Sequence, residues 1–187
     1  MVGLTSLWLP IVLSAVVVFV ASAITHMVLR YHWSDFQGMP GEEGVLEAMR
    51  KAGVQPGNYN FPHSKSMAEL KNPDVAKKWE RGPVGMMFVL PSGLPAMGKS
   101  LAQWFVYSLV LGVLVAYVTG RTLAPGTEYL QVFRVSATVA FLAYAGSEPV
   151  MSIWKGQKWS TTAKNVFDDF VYAMLTGGVF GWLWPGM

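Results

Sequence analysis

Four long apolar stretches separated by polar segments organise the chain, at residues 7–29, 97–119, 129–153 and 166–184. Each is close to the about 20 residues that a helix needs to cross a hydrocarbon core. The pattern predicts an all-α membrane protein of one domain, residues 1–187, with four transmembrane helices. A smaller insertion, residues 30–96, joins the first helix to the second. Within it, apolar positions Val45, Leu46, Met49 and Ala52 recur at helical spacing, so 42–52 reads as a short amphipathic helix. Ser66 with Glu69 forms an S-x-x-E capping box. Asn72-Pro73-Asp74 starts another short helix, with Pro73 in the first helical position. The run 83–91 is apolar, bracketed by Pro83 and Pro91, and far below spanning length. It reads as strand, re-entrant or interfacial segment, and Met86, Met87 and Phe88 make it a candidate docking patch.

Charge orients these helices. Eleven of the fourteen Lys and Arg residues fall in the segments joining helix 1 to 2 and helix 3 to 4, and Lys99 lies at the adjoining end of helix 2; only Arg121 and Arg134 lie toward the other side. Lys and Arg in short loops mark the cytoplasmic face, so both termini are expected outside and the insertion inside. Trp8, Tyr129, Trp182 and Trp184 at one set of ends, and Tyr31, Trp33, Trp154 and Trp159 at the other, suit two interfacial belts. Ala21-Ser22-Ala23 resembles a signal cleavage site. However, the first ten residues carry no Lys or Arg and the apolar run continues to Leu29, so a retained span is expected. A multi-pass protein of a bacterial inner membrane is the localisation this implies.

Composition removes several classes of function. The chain has no cysteine, so disulfide partners and thiolate metal sites are excluded. Residues 30–96 carry eight basic and seven acidic residues, a balance that argues against nucleic acid. No nucleophile motif of the G-x-S-x-G kind accompanies a serine. His26 and His32, six residues apart on one helix, do not share a face, which argues against bis-histidine haem ligation, and three scattered His with no Cys are too few ligands for a metal site. His26 alone would be the ligand if a haem or pigment were bound, with Ser22 one turn earlier leaving room for a macrocycle. No cofactor is expected otherwise.

Two features bear on partners and sites. Gly112, Ala116 and Gly120, and likewise Ala173, Gly177 and Gly181, form stripes at i, i+4, i+8 that admit another backbone. One stripe serves this bundle and the other is free to face a partner subunit. The ionisable residues in or near the spans are Arg134, Glu148, Asp168 and Asp169. The carboxylates are expected at the inner end, in reach of Lys99, Lys155 or Lys164, and Arg134 toward Glu128. Pro149 is expected to loosen the third helix beside Glu148.

The single N-terminal span, the P-G-x-Y-x-F-P turn at 56–62, the basic helix ending at Trp79 and the Gly82-Pro83-Val84-Gly85 segment together resemble small uncharacterised bacterial inner-membrane proteins. That resemblance covers most of the chain, implies a bacterial inner membrane, and carries no activity or site residues. On these grounds the expected role is a non-catalytic accessory subunit, packed by lipid and other membrane subunits in a larger complex, respiratory or photosynthetic among the possibilities. The alternatives are a small transporter or channel, and an interfacial enzyme acting on lipid through Glu148, Asp168 or Asp169.

Overall fold

A computed structural model describes residues 1–186 and is mostly helical. The chain forms two compact units. The first comprises residues 1–36, 96–153 and 157–187, and the second 37–95 with 154–156.

The first unit is a bundle of α1 (Trp8–Ala23), α4 (Met97–Thr122), α5 (Tyr129–Ala145) and α7 (Trp159–Trp182). Between the first two lie α2 (Glu42–Lys51) and α3 (Pro73–Arg81), and α6 (Glu148–Lys155) precedes α7. Each bundle helix has two neighbours: α1 lies on α4 and α7, and α5 on α7 and α4. The helical segment Leu4–Val28 and the helix Met97–Thr122 are long and apolar enough to cross a membrane. Both leave wide apolar faces uncovered, with Val12, Val16 and Val20 exposed on the first and Val106, Val110, Val113 and Leu114 on the second. Their inward faces supply Leu7, Val18, Leu111 and Val115 to a core completed by Val132, Tyr144, Tyr172 and Phe180.

Both small-residue stripes are used inside this bundle, which corrects the expectation that one faces a partner. A Cβ on Gly177 would lie 2.6 Å from the Ala137 Cβ, and one on Gly181 2.7 Å from the Tyr129 ring. The helices α5 and α7 therefore meet almost backbone to backbone, the closest packing in the unit. Gly112 faces the Ile11 carbonyl and Gly120 the Val2 carbonyl, while Ala116 and Ala173 are buried in the core. Small residues face α1 on one side and α5 on the other.

The third apolar stretch is not one helix. The helix α5 ends at Ala145, where Gly146 donates its N–H to the Leu142 carbonyl, and α6 begins again at Glu148. The interruption lies before Pro149, which occupies the first turn of the new helix, a position where its missing N–H leaves no orphan. Instead of a kinked span there is a break that turns Glu148 toward α7.

In the second unit, β1 (Gly57–Phe61) pairs antiparallel with β2 (Gly85–Val89), Tyr59 opposite Met87. A two-stranded sheet is marginal alone, and Val45, Leu46 and Met49 of α2 line a groove together with Met87, Phe88 and Val89. The bracketed run 83–91 is thus a strand. Asn72 caps α3 by accepting from the Asp74 N–H at 2.9 Å, and the Ser66 hydroxyl accepts from the Glu69 N–H. Alternation along β2 leaves Met86 and Phe88 exposed and Met87 half-buried.

Candidate functional site

After Ala23 the first helix loosens into a π-helical turn, Ile24–Val28, and then stops. Arg30 adopts a left-handed conformation, φ 55°, which is rare for a residue with a side chain. Its guanidinium lies 4.9 Å from the centre of the Trp33 ring, a contact that helps hold the reversal. A short 3₁₀ turn, Tyr31–Ser34, follows. The consequence is that His32 folds back onto His26, ring centres 4.5 Å apart. The expectation that these two histidines cannot meet is therefore corrected. It assumed a continuous helix, and the π turn and the Arg30 reversal remove that continuity.

The reversed segment docks on α7 through a chain of polar contacts. The His32 Nε2 lies 2.8 Å from the Asp168 Oδ2, and its Nδ1 2.7 Å from the Asp35 Oδ2. Tyr31 donates its hydroxyl to the other Asp168 oxygen. Asp35 accepts from the Lys164 ammonium at 2.7 Å and the Thr161 hydroxyl at 3.1 Å. Lys164 also donates to the Tyr31 carbonyl and the Ser34 hydroxyl. Burial alone would raise the Asp35 pKa, but its hydrogen bonds to Lys164, His32 and Thr161 outweigh that and hold it below the ordinary carboxylate value. Asp168, with a side chain only 4% exposed, is the inner member of the network, and His26 Nε2 stands 3.9 Å from it.

Beside this network opens a chamber of about 430 Å³. Its lining combines the apolar Ala23, Met27, Met97, Leu101 and Trp104 with the polar His26, Glu148, Asn165, Asp168 and Asp169. The Trp104 indole donates to the Ser22 hydroxyl at 2.8 Å, so the small residue expected to admit a macrocycle lies against an aromatic ring. Trp104 also packs with Tyr144 and Tyr172, and the Tyr172 hydroxyl is 3.0 Å from the Thr25 hydroxyl. This aromatic group separates the chamber from the rest of the bundle. Glu148 lies one break beyond α5 and Asp168–Asp169 two turns into α7, yet all three reach the one cavity.

Sequence reasoning named Glu148, Asp168, Asp169 and His26, and the fold brings those four together. It misassigned their partners. Glu148 accepts from the Asn165 amide at 2.7 Å, and among the described residues no lysine pairs with Glu148, Asp168 or Asp169; Lys164 is taken by Asp35. Arg134 is exposed on α5 and forms no ion pair with Glu128 among the described residues. Tyr31, His32, Asp35 and Asn165 were missed as site residues. Their signal was the dense polar run Tyr31–Asp35 directly after a span, which reads equally well as interfacial.

No protein-family model, curated protein or solved structure matches the chain.

Proposed function

We propose that this is a four-span inner-membrane protein whose working part is the chamber at the cytoplasmic end of the bundle, and that it acts there on the headgroup of a membrane lipid. One observation carries the reading: three carboxylates and a histidine line a single cavity together with the apolar Ala23, Met27, Met97 and Leu101. Carboxylates near a span are costly and usually serve a function. Apolar and polar side chains in one cavity fit an amphiphile, with its tail along Met27, Met97 and Leu101 and its head among the polar residues. Two carboxylates in one cavity supply a general acid and a general base. The four-span arrangement draws support from the Lys residues around this end, Lys99, Lys155, Lys158 and Lys164, which suit the cytoplasmic side.

Reconstituted protein incubated with an inner-membrane lipid extract should deplete one headgroup class, and Glu148→Gln should stop it by about 100-fold or more. Unchanged lipid profiles with folded protein would reject the catalytic reading. The topology has its own check. A cysteine at Lys71 should be protected from a membrane-impermeant maleimide in intact cells, and one at Thr127 should react. The reverse pattern would place the chamber outside.

A second reading, an accessory subunit of a larger complex, is favoured by the exposed Met86 and Phe88 on the sheet of the second unit. It predicts a co-purifying chain lost on Phe88→Ser, with the bundle intact. The transporter reading has no ionisable residue at mid-span to support it.

A further inference from the structure

We propose that His26, His32 and Asp168 bind a first-row divalent metal ion of the zinc class, presented to the chamber. The three ligand atoms lie within 4.8 Å of one another. Around a tetrahedral ion with bonds of about 2.0–2.1 Å, ligand atoms stand about 3.3 Å apart. The His32–Asp168 pair, at 2.8 Å, is already slightly inside that spacing. Only His26 must close in, and its side chain is 53% exposed and sits on the loosened π turn, so it is the ligand free to move.

The surroundings are those of a metal site as well as the ligands. A ligating histidine nearly always gives its other ring N–H to a carboxylate or carbonyl, which fixes the tautomer and aims the lone pair. His32 does this through Nδ1 to Asp35, and Asp35 is fixed in turn by Lys164 and Thr161. Tyr31 holds one oxygen of Asp168 and leaves Oδ2 to face the two imidazoles. With no ion, a hydrogen must bridge His32 to each of its two carboxylate partners. An ion replaces the proton between His32 and Asp168 and leaves the Asp35 contact unchanged. Two imidazoles and one carboxylate favour zinc-class ions over magnesium or calcium, which take oxygen ligands. Three protein ligands, of which His26 and Asp168 line the cavity, leave one side of the ion for a small molecule.

This deepens the proposed function and rests on it for what the ion would meet. Glu148 and Asp169 repel an anionic headgroup, whereas a cation on Asp168 would attract the phosphate of a phospholipid. Metal binding itself rests only on the geometry.

The test uses the full chain, purified in detergent without a polyhistidine tag, stripped with chelator and titrated with zinc alone, then with cobalt for its visible spectrum. One ion per chain is expected, with the intense cobalt bands of a four-coordinate site. His26→Gln and His32→Gln should each weaken binding at least 100-fold. Tyr31→Phe should weaken it about 10-fold through loss of the Asp168 contact. His63→Gln, in the other unit, should change nothing. His26 is half-exposed, so its variant should stay folded, which circular dichroism and gel filtration confirm. Absence of stoichiometric binding by the folded wild type, or binding unaffected by His26→Gln, would overturn the inference. Zinc bound with no lipid altered would reject the lipid reading and keep the metal. Lipid turnover by folded protein that binds no zinc would do the opposite.

Discussion

Gly177→Leu should unfold the bundle, whereas Gly178→Leu, one residue along, should be tolerated. At 177 the new Cβ would lie 2.6 Å from the Ala137 Cβ, 3.1 Å from the Phe133 carbonyl and 3.2 Å from the Ala137 Cα. Two of those atoms are backbone, so relief requires α5 and α7 to separate along the most extensive helix contact in the unit. Overpacking a core by a few methylenes costs about 1–3 kcal/mol where side chains can yield. Here they cannot, and a loss of about 3 kcal/mol or more is expected. At 178 the only neighbour is the Tyr129 hydroxyl at 3.7 Å, an ordinary contact. Thermal unfolding in detergent separates the two, and equal melting temperatures would mean that the α5–α7 interface is looser than described.

Asp35→Ala should be the most damaging single change at the chamber end. It leaves Lys164 and His32 without the carboxylate that both contact at 2.7 Å. Removing one member of a largely buried ionic network costs about 3–5 kcal/mol, because the remaining charge is left uncompensated. Asp35→Asn keeps a hydrogen-bonding oxygen and should recover part of that loss. By contrast, Arg134→Ala, at an exposed position, should stay within about 0.5 kcal/mol of the wild type. Chemical denaturation of the three variants in one detergent gives the ranking, and an Asp35→Ala protein as stable as Arg134→Ala would show that the docked segment 30–35 contributes little.

How much of this was legible in the sequence depends on which physical rule governed each element. The two helical segments long and apolar enough to cross a membrane, Leu4–Val28 and Met97–Thr122, follow from uninterrupted apolar length. The capping signal at Asn72 is local chemistry and is found where the residues predict, whereas the Ser66 box forms only in half, because the Glu69 carboxylate accepts from the Lys65 N–H instead of that of Ser66. The break at Gly146 was not legible: apolar residues continue across it, and the nearby proline drew attention to the wrong bond. The glycine stripes were recognised as close-packing surfaces, but spacing alone does not say which helix approaches. The chamber was half visible. Its carboxylates stand out as charges beside apolar spans, whereas the meeting of His26 with His32 depends on the π turn and on Arg30 at φ 55°, conformations that no side-chain pattern there announces. Periodicity arguments fail where the helix itself does.

The central claim is that the chamber holds a particular lipid and does not merely border the bilayer. A photo-crosslinking amino acid placed at Leu101 lines the chamber, and one placed at Val113 faces away from the core on the same helix. After irradiation in native membranes, mass spectrometry should find one headgroup class strongly enriched in the Leu101 adducts, and the bulk lipid mixture in those at Val113. Leu101 adducts with the same lipid distribution as Val113, or none at all, would contradict the account.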